Sequence, residues 1–232
     1  TGVVSNPSGK NDIIVRGNSP RGLLWRMEGM EMPNPNHFSS EGSSGGAISM
    51  LNPNILKSSD FLTGAFPAQY GNAASGIFDL GLRKGNAEKS EYVAQIGVLG
   101  IEAQAEGPFK KGSDASYVAN YRYSSLDLFN RIGLKISGEA APQFQDGAFK
   151  VNLPTKTGYW SIFGIGGYNS VVDNSKDKQD KVRSKFKGSS GMYLTGIRNV
   201  SQLSDKQSLE NSIAYSGTFG RGKEFSNPQS AD

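Results

Sequence analysis

The chain has 232 residues, a formal net charge of +4 and a mean hydropathy of −0.46. It contains no cysteine, which excludes disulfides, thiolate metal sites and catalysis by a cysteine nucleophile. It also lacks an apolar run of about 18 residues, so no transmembrane helix is predicted.

The N-terminal region begins with short apolar runs that are separated by turn residues. Ile13–Val15 is rich in β-branched side chains, which predicts a buried strand, and Gly17 lets the backbone turn at its end. Leu23–Met27 predicts a second strand, which Glu28 and Gly29 close. This region is therefore expected to contain a small sheet.

The following segment alternates irregular and regular patterns. Residues 33–46 are rich in proline, asparagine, serine and glycine, which indicates an ordered but irregular loop. Residues 52–56 have asparagine and proline in the positions of a helix cap and first turn, which predicts a helical turn. Residues 60–65 and 77–83 predict two further strands.

Taken in order, residues 11–20, 52–56 and 61–80 resemble the plug domain of a TonB-dependent outer-membrane receptor, of the kind found in Bacteroidetes. The resemblance rests on the order and spacing of several short motifs, since each motif alone is weak. The positions that carry it, as plug motif and structural residues, are Arg16, Gly17, Glu28, Gly29, Tyr70, Gly71 and Gly76.

The resemblance also divides the chain. It implies that residues 1–86 are the C-terminal part of a plug and that residues 87–232 are the N-terminal strands of an incomplete barrel. Many plugs have Asp-Gly-x-Pro at this place, whereas residues 28–33 are a longer form of that motif. The loop that follows is therefore expected to be longer too. A generic α+β domain with many glycines is the alternative for the first part.

The remaining chain shows the two-residue period of β-strands, without a helical period. In the predicted strand 115–125, Tyr117 and Tyr121 share one face, and Asn120 and Arg122 share the other. A change of phase in the first strand near Leu99 and Gly100 predicts a β-bulge. The outward face of the fourth strand cannot be assigned. The six predicted strands are residues 91–106, 115–125, 143–153, 158–170, 189–203 and 208–219.

The connections between these strands alternate in length. Residues 108–113, 154–157 and 204–207 are short and polar, whereas residues 126–142 and 171–188 are long. Bacterial outer-membrane barrels pair short periplasmic turns with longer extracellular loops, so this alternation favours a barrel over a β-sandwich. The aromatic residues placed at the periplasmic membrane interface are Tyr117, Tyr159 and Trp160.

The fold class predicted is thus mostly β with a small α+β part: a partial plug domain followed by about six antiparallel strands of a transmembrane β-barrel. No enzyme, cofactor or metal site is expected, because His37 is the single histidine and no nucleotide-binding or nucleophile motif is complete. No nucleic-acid partner is expected either. The basic residues of 176–187 are interleaved with acids, which indicates a solvated loop that touches anionic lipid headgroups.

By resemblance, the parent protein is an active importer of the cell outer membrane. A barrel of about 22 strands would enclose the plug in its lumen, and TonB would pull on the plug after an unknown ligand binds at the cell surface. The TonB-contacting segment and the signal peptide are expected to lie outside this chain. Six strands cannot close such a barrel, so this part alone is not expected to transport anything.

Two groups of residues are candidate sites. The arginine of the plug motif, Arg16, is expected to form an ion pair with Glu102 or Glu106, which share one face of the first barrel strand. A solvated surface arginine is the alternative. The candidate ligand-facing loop, for which a structural role is the alternative, comprises Asn34, Asn36, His37, Phe38 and Ser39.

Two other functions stay open at this point. One is a soluble β-rich adhesin or carbohydrate-binding module. The other is a receptor-like component of a surface protein export system, for which a surface lipoprotein is a possible partner.

Overall fold

The computed structural model describes residues 3–5, 12–39, 43–57, 59–97, 100–124, 143–176 and 182–226. The described chain is mostly β, and its one helical element is the three-residue 3-10 helix Pro20–Gly22. Within these ranges, no helix has the length and apolar character needed to cross a membrane.

Residues 3–86, called here the N-terminal unit, form three small sheets. The predicted strands at Ile13–Val15 and Leu23–Met27 are confirmed, and those at 60–65 and 77–83 are present with shifted bounds. The strands are β1 Val3–Ser5, β2 Ile13–Val15, β3 Leu23–Met27, β4 Met30–Met32, β5 Asn36–His37, β6 Ile48–Ser49, β7 Asp60–Leu62 and β8 Gly76–Leu80.

The largest of these sheets has the order β4-β3-β8-β7. Strands β3 and β8 are parallel, and the other two pairs are antiparallel. The helical turn predicted at 52–56 is a turn rather than a helix: the Asn52 side chain accepts the N–H of Asn54, and its carbonyl accepts the N–H of Ile55. Asn52 therefore satisfies backbone donors locally, as asparagine does in turns.

Two tight turns in this unit use a non-glycine residue followed by glycine, both at positive φ. Arg16 and Gly17 have φ of 51° and 76°, and Glu28 and Gly29 have φ of 54° and 82°. Positive φ at both central residues is the signature of the type I′ turn, which matches the twist of the flanking strands. The second turn joins β3 to β4 and holds Glu28 at a fixed position.

Gly17→Ala should lower the free energy of unfolding by about 1–2 kcal/mol, because an L-residue with a Cβ is strained in the left-handed region. The added methyl group would meet no atom within 4 Å, so the effect would come from the backbone alone. The control is Gly71→Ala, which also has open space but no positive φ. It should be neutral or stabilising by up to about 1 kcal/mol. Equal effects in chemical unfolding would contradict the argument.

The described residues from Glu91 to Ser226 form one sheet of seven antiparallel strands, called here the large sheet. Each strand pairs with its neighbour in sequence, so the sheet is a simple meander. The strands are β9 Glu91–Gly97, β10 Gly100–Pro108, β11 Ser116–Tyr123, β12 Gln143–Thr155, β13 Gly158–Lys176, β14 Val182–Ser204 and β15 Gln207–Ser226.

Two sequence-based predictions about this sheet are wrong. The β-bulge predicted near Leu99 and Gly100 is instead a chain reversal, since Gly97 lies opposite Gly100 in antiparallel register. Reversal changes the phase of the apolar pattern just as a bulge does, and it makes seven strands rather than six. The predicted long connection at 171–188 is largely strand, because β13 and β14 extend into it. The predicted connection at 126–142 lies outside the described residues.

The two faces of the large sheet differ in chemistry. The inner face packs against the N-terminal unit, and the outer face carries exposed apolar side chains. Strand β11 follows the predicted alternation, with Asn120 buried and Tyr121 exposed. In β13, whose faces could not be assigned from sequence, Phe163 is fully buried on the inner face and Ile162 is exposed on the outer face.

An apolar core joins the N-terminal unit to the inner face of the large sheet. Trp25, Met27 and Leu82 of the unit pack in one cluster with Phe163 and Leu194 of the sheet. Burial of such side chains is the main source of stability in any domain. The unit is therefore held on the sheet by apolar packing as well as by the polar contacts described next.

Candidate functional site

A buried ion pair connects the N-terminal unit to strand β12. The Nζ of Lys150 lies 2.9 Å from each carboxylate oxygen of Glu28 and donates to the carbonyl of Leu82 at 2.9 Å. Glu28 also accepts the backbone N–H of Leu82 at 2.7 Å. The two charged residues are only 3% and 5% exposed. All three donor directions of the ammonium are therefore used, as burial of a charge requires.

Arg198 of β14 extends this pair toward the edge of the large sheet. Its guanidinium lies 3.7 Å from Glu28 and 2.9 Å from Glu210 of β15. Glu28 thus faces two cations on neighbouring strands. Sequence reasoning selected Glu28 as a turn residue of the motif and missed its ionic role, which depends on strands more than 100 residues away.

A second ionic contact lies near the end of the N-terminal unit. Arg83 donates to both carboxylate oxygens of Glu106 at 2.6 and 2.5 Å, and Glu106 also accepts the backbone N–H of Asn86 at 2.9 Å. The hydrogen bonds with Glu106 raise the pKa of the Arg83 guanidinium above its ordinary value. The arrangement is bidentate, which fixes both the direction and the distance of the contact.

This geometry corrects the ion pair predicted from sequence. Arg83, not Arg16, is the partner of Glu106, and Glu102 accepts the side-chain amide of Asn52 at 2.5 Å. Arg16 is exposed, with its guanidinium beside Gly64 of the same unit. Arg83 follows β8, the last strand of the unit, and therefore lies closer to β10 than Arg16 does.

His37, predicted to face a ligand, is instead fully buried against strand β12. Its Nε2 lies 2.9 Å from Oδ2 of Asp146, and the ring packs at 5.0 Å from the ring of Phe144. Asp146 also accepts from Arg122 at 2.7 Å, and Arg122 donates to the carbonyl of Ser49. These contacts anchor both β5 and β6 of the loop region to the large sheet.

A cavity of about 490 Å³ lies between this loop and strands β13 to β15. Three of the five predicted loop residues line it, namely Asn34, Asn36 and Ser39, whereas His37 and Phe38 do not. The remaining lining residues are Ser43, Met50, Asn169, Ser190, Gly191, Met192, Thr218, Phe219 and Gly220.

The cavity wall offers hydrogen-bonding groups but no charged side chain among the described residues. Asn34 is committed to the wall itself: its amide donates to the carbonyls of Ser43 and Gly45 and accepts from Asn36. Asn169 accepts the hydroxyl of Ser190 at 3.0 Å. Among the described residues, no group of three or more metal-ligating side chains converges.

The outer face of the large sheet changes character along the strands. Near one end of the apolar surface the rings of Tyr168 and Phe219 stack at 6.3 Å, and those of Tyr193 and Tyr215 lie 5.5 Å apart. At the other end, near the turns that follow β12 and β14, Trp160 is 47% exposed. Aromatic residues therefore lie at both ends of the apolar surface.

Residues 1–77 match the family model described as the TonB-dependent Receptor Plug Domain. No curated protein sequence is significantly similar to the chain.

The siderophore receptor PirA from Acinetobacter baumannii has a TM-score of 0.48 and 15% identity, over 93% of this chain and 40% of that one. A mutant of the ferric enterobactin receptor PfeA from Pseudomonas aeruginosa has a TM-score of 0.47 and 13% identity, over 95% and 42%. This chain therefore spans about 40% of the length of either receptor. The first third of the chain is therefore similar to the plug domain of TonB-dependent receptors.

Proposed function

We propose that this chain is part of an outer-membrane receptor that binds a ligand at the cell surface and imports it with energy transmitted by TonB. The N-terminal unit would be the plug and the large sheet a segment of the barrel wall, with the boundary near residue 86. The observation that carries the proposal is the contrast between the two faces of the large sheet: ion pairs to the plug-like unit on one side and an exposed apolar surface on the other.

The height of the apolar surface fits a membrane. On β15 it runs from Leu209 to Phe219, both exposed. Ten residues of strand span about 33 Å, and a tilt of about 40° reduces this to about 25 Å along the membrane normal. That is the height of the apolar band of outer-membrane barrels, which aromatic residues flank at both edges. A soluble binding module has no reason to expose such a band.

The plug contacts suit a part that must move. Ion pairs and hydrogen bonds can be exchanged for water when a path opens, whereas an interface that is entirely apolar would resist wetting. Outer membranes contain no ATP, so force from TonB is the energy source that the plug resemblance implies. A surface lipoprotein is a possible further partner, and lipid would cover the outer face.

The cavity is the ligand site in this proposal. It lies on the half of β13 to β15 that is farther from the turns 156–157 and 205–206, which would face the periplasm. Asn36 and Ser39 from the plug side and Asn169 and Thr218 from the sheet side would contact the ligand through hydrogen bonds.

Cysteine accessibility would test whether the plug moves. The chain has no native cysteine, and Ser161 is fully buried on the inner face of β13, so Ser161→Cys adds one buried thiol with little change in size. In energised cells a membrane-impermeant maleimide should label the introduced thiol. A protonophore or deletion of tonB should abolish the labelling, because the plug would then stay in place.

A matched variant controls for reagent access. Ser39→Cys lies on the cavity wall, half-buried, and should be labelled in both conditions. If the Ser161→Cys variant were labelled equally with and without TonB, motion of the plug would not depend on TonB. If the protein fractionated as a soluble band near 24.8 kDa instead of a heat-modifiable outer-membrane band, the receptor proposal itself would fail.

A further inference from the structure

Three cations cluster on the outer face of the large sheet, just beyond the stacked rings of Tyr168 and Phe219. Arg221 and Lys223 follow Phe219 at alternate positions of β15, so both cations lie on the same outer face as Phe219. Lys187 of β14 lies directly opposite Lys223 in register, and Ser189 lies opposite Arg221. On β15 the outer face thus passes from Phe219 to the cations Arg221 and Lys223, and the exposed Phe225 follows them.

This arrangement is unfavourable for the sheet alone. Like charges directly opposite each other on neighbouring strands are destabilising. No acidic side chain lines the cluster in the described part of the chain, and Glu224 alternates to the inner face. A bound anion would remove the repulsion between Lys187 and Lys223.

The cations border a shallow hollow of about 250 Å³ on the same face. Its lining includes the hydroxyl residues Ser170 and Ser189, which can donate hydrogen bonds to an anion. Its other walls are Tyr168 and Val172, which continue into the apolar surface. The site thus combines a polar, cationic part with an apolar part directly below it.

We propose that this hollow binds the phosphate-bearing headgroup of a membrane lipid. Lys187, Arg221 and Lys223 would contact the phosphate, Ser170 and Ser189 would donate to its oxygens, and the acyl chains would lie along Tyr168 and the apolar surface. Arginine and lysine are the usual ligands of phosphate, and the apolar wall, which faces the bilayer if the proposed function holds, favours a lipid over a free anion. The site is separate from the cavity and independent of what the protein transports.

The test uses the natural protein that carries this chain, delipidated in a neutral detergent. Phosphatidylglycerol added to the micelles should raise its melting temperature, and a galactosyl diacylglycerol with the same acyl chains should not. Lys187→Gln/Lys223→Gln should weaken phosphatidylglycerol binding at least tenfold. The same variant should be as stable as the wild type, or more stable, without lipid, because it removes a like-charge pair.

The control is Lys110→Gln/Lys111→Gln, which removes two exposed lysines at the opposite end of the large sheet. It should leave phosphatidylglycerol binding unchanged. Equal binding by the Lys187/Lys223 variant and the wild type would overturn the site. If inorganic phosphate at the same concentration stabilised the protein as much as the lipid, the apolar wall would have no role and assignment to a lipid would be wrong.

Discussion

Lys150→Met should reduce the free energy that holds the N-terminal unit on the large sheet by about 3–5 kcal/mol. The substitution keeps the apolar volume of the side chain but leaves the carboxylate of Glu28 buried without its closest cation. It also removes a donor from the carbonyl of Leu82. Uncompensated burial of a charge is more costly than the net gain from the pair.

The double variant Glu28→Gln/Lys150→Met separates that cost from the contribution of the pair. It removes both charges, so most of the lost stability should return. Limited proteolysis of the N-terminal unit in the detergent-solubilised protein would measure the loss. The control is Lys89→Met, which breaks an exposed, solvent-screened pair with Glu91 and should leave the proteolysis rate unchanged. If the double variant were as unstable as Lys150→Met, the unpaired carboxylate of Glu28 would not be the cause of the lost stability.

Asp146→Leu should cost about 3 kcal/mol and release the loop that forms one wall of the cavity. Asp146 is the shared partner of His37 and Arg122, and it is almost fully buried. Without it, the buried imidazole of His37 loses the partner of its Nε2, and the guanidinium of Arg122 loses its carboxylate. Hydrogen–deuterium exchange of residues 34–50 should increase, because β5 and β6 are anchored through these two side chains.

The neighbouring residue provides the control for this prediction. Gln145 alternates to the outer face, where its side chain accepts the exposed hydroxyl of Tyr121. Gln145→Ala should therefore leave the exchange of residues 34–50 unchanged. Faster exchange in both variants would mean that strand β12 is disturbed as a whole, and would contradict a specific role for Asp146.

The candidate site could be predicted from the sequence only in part. Composition predicted a ligand-facing loop at residues 34 and 36–39, and three of these five residues line the cavity. The exclusion of His37 from the cavity could not be predicted, since it depends on Asp146, which lies 109 residues away. Arg83 was missed for the same reason. Its role depends on Glu106, and nothing in the residues around Arg83 indicates that partner.

Local pattern predicted where most of the strands lie, the turn residues Gly17 and Gly29, and the outward face of β11, because period and backbone conformation are properties of neighbouring residues. It failed between Gly97 and Gly100, where a reversal of the chain and a bulge produce the same change of phase. The tertiary structure alone decided which charges meet. Glu28, Lys150 and Arg198 come from three distant segments, and a buried charge is defined by its partners rather than by its own sequence context.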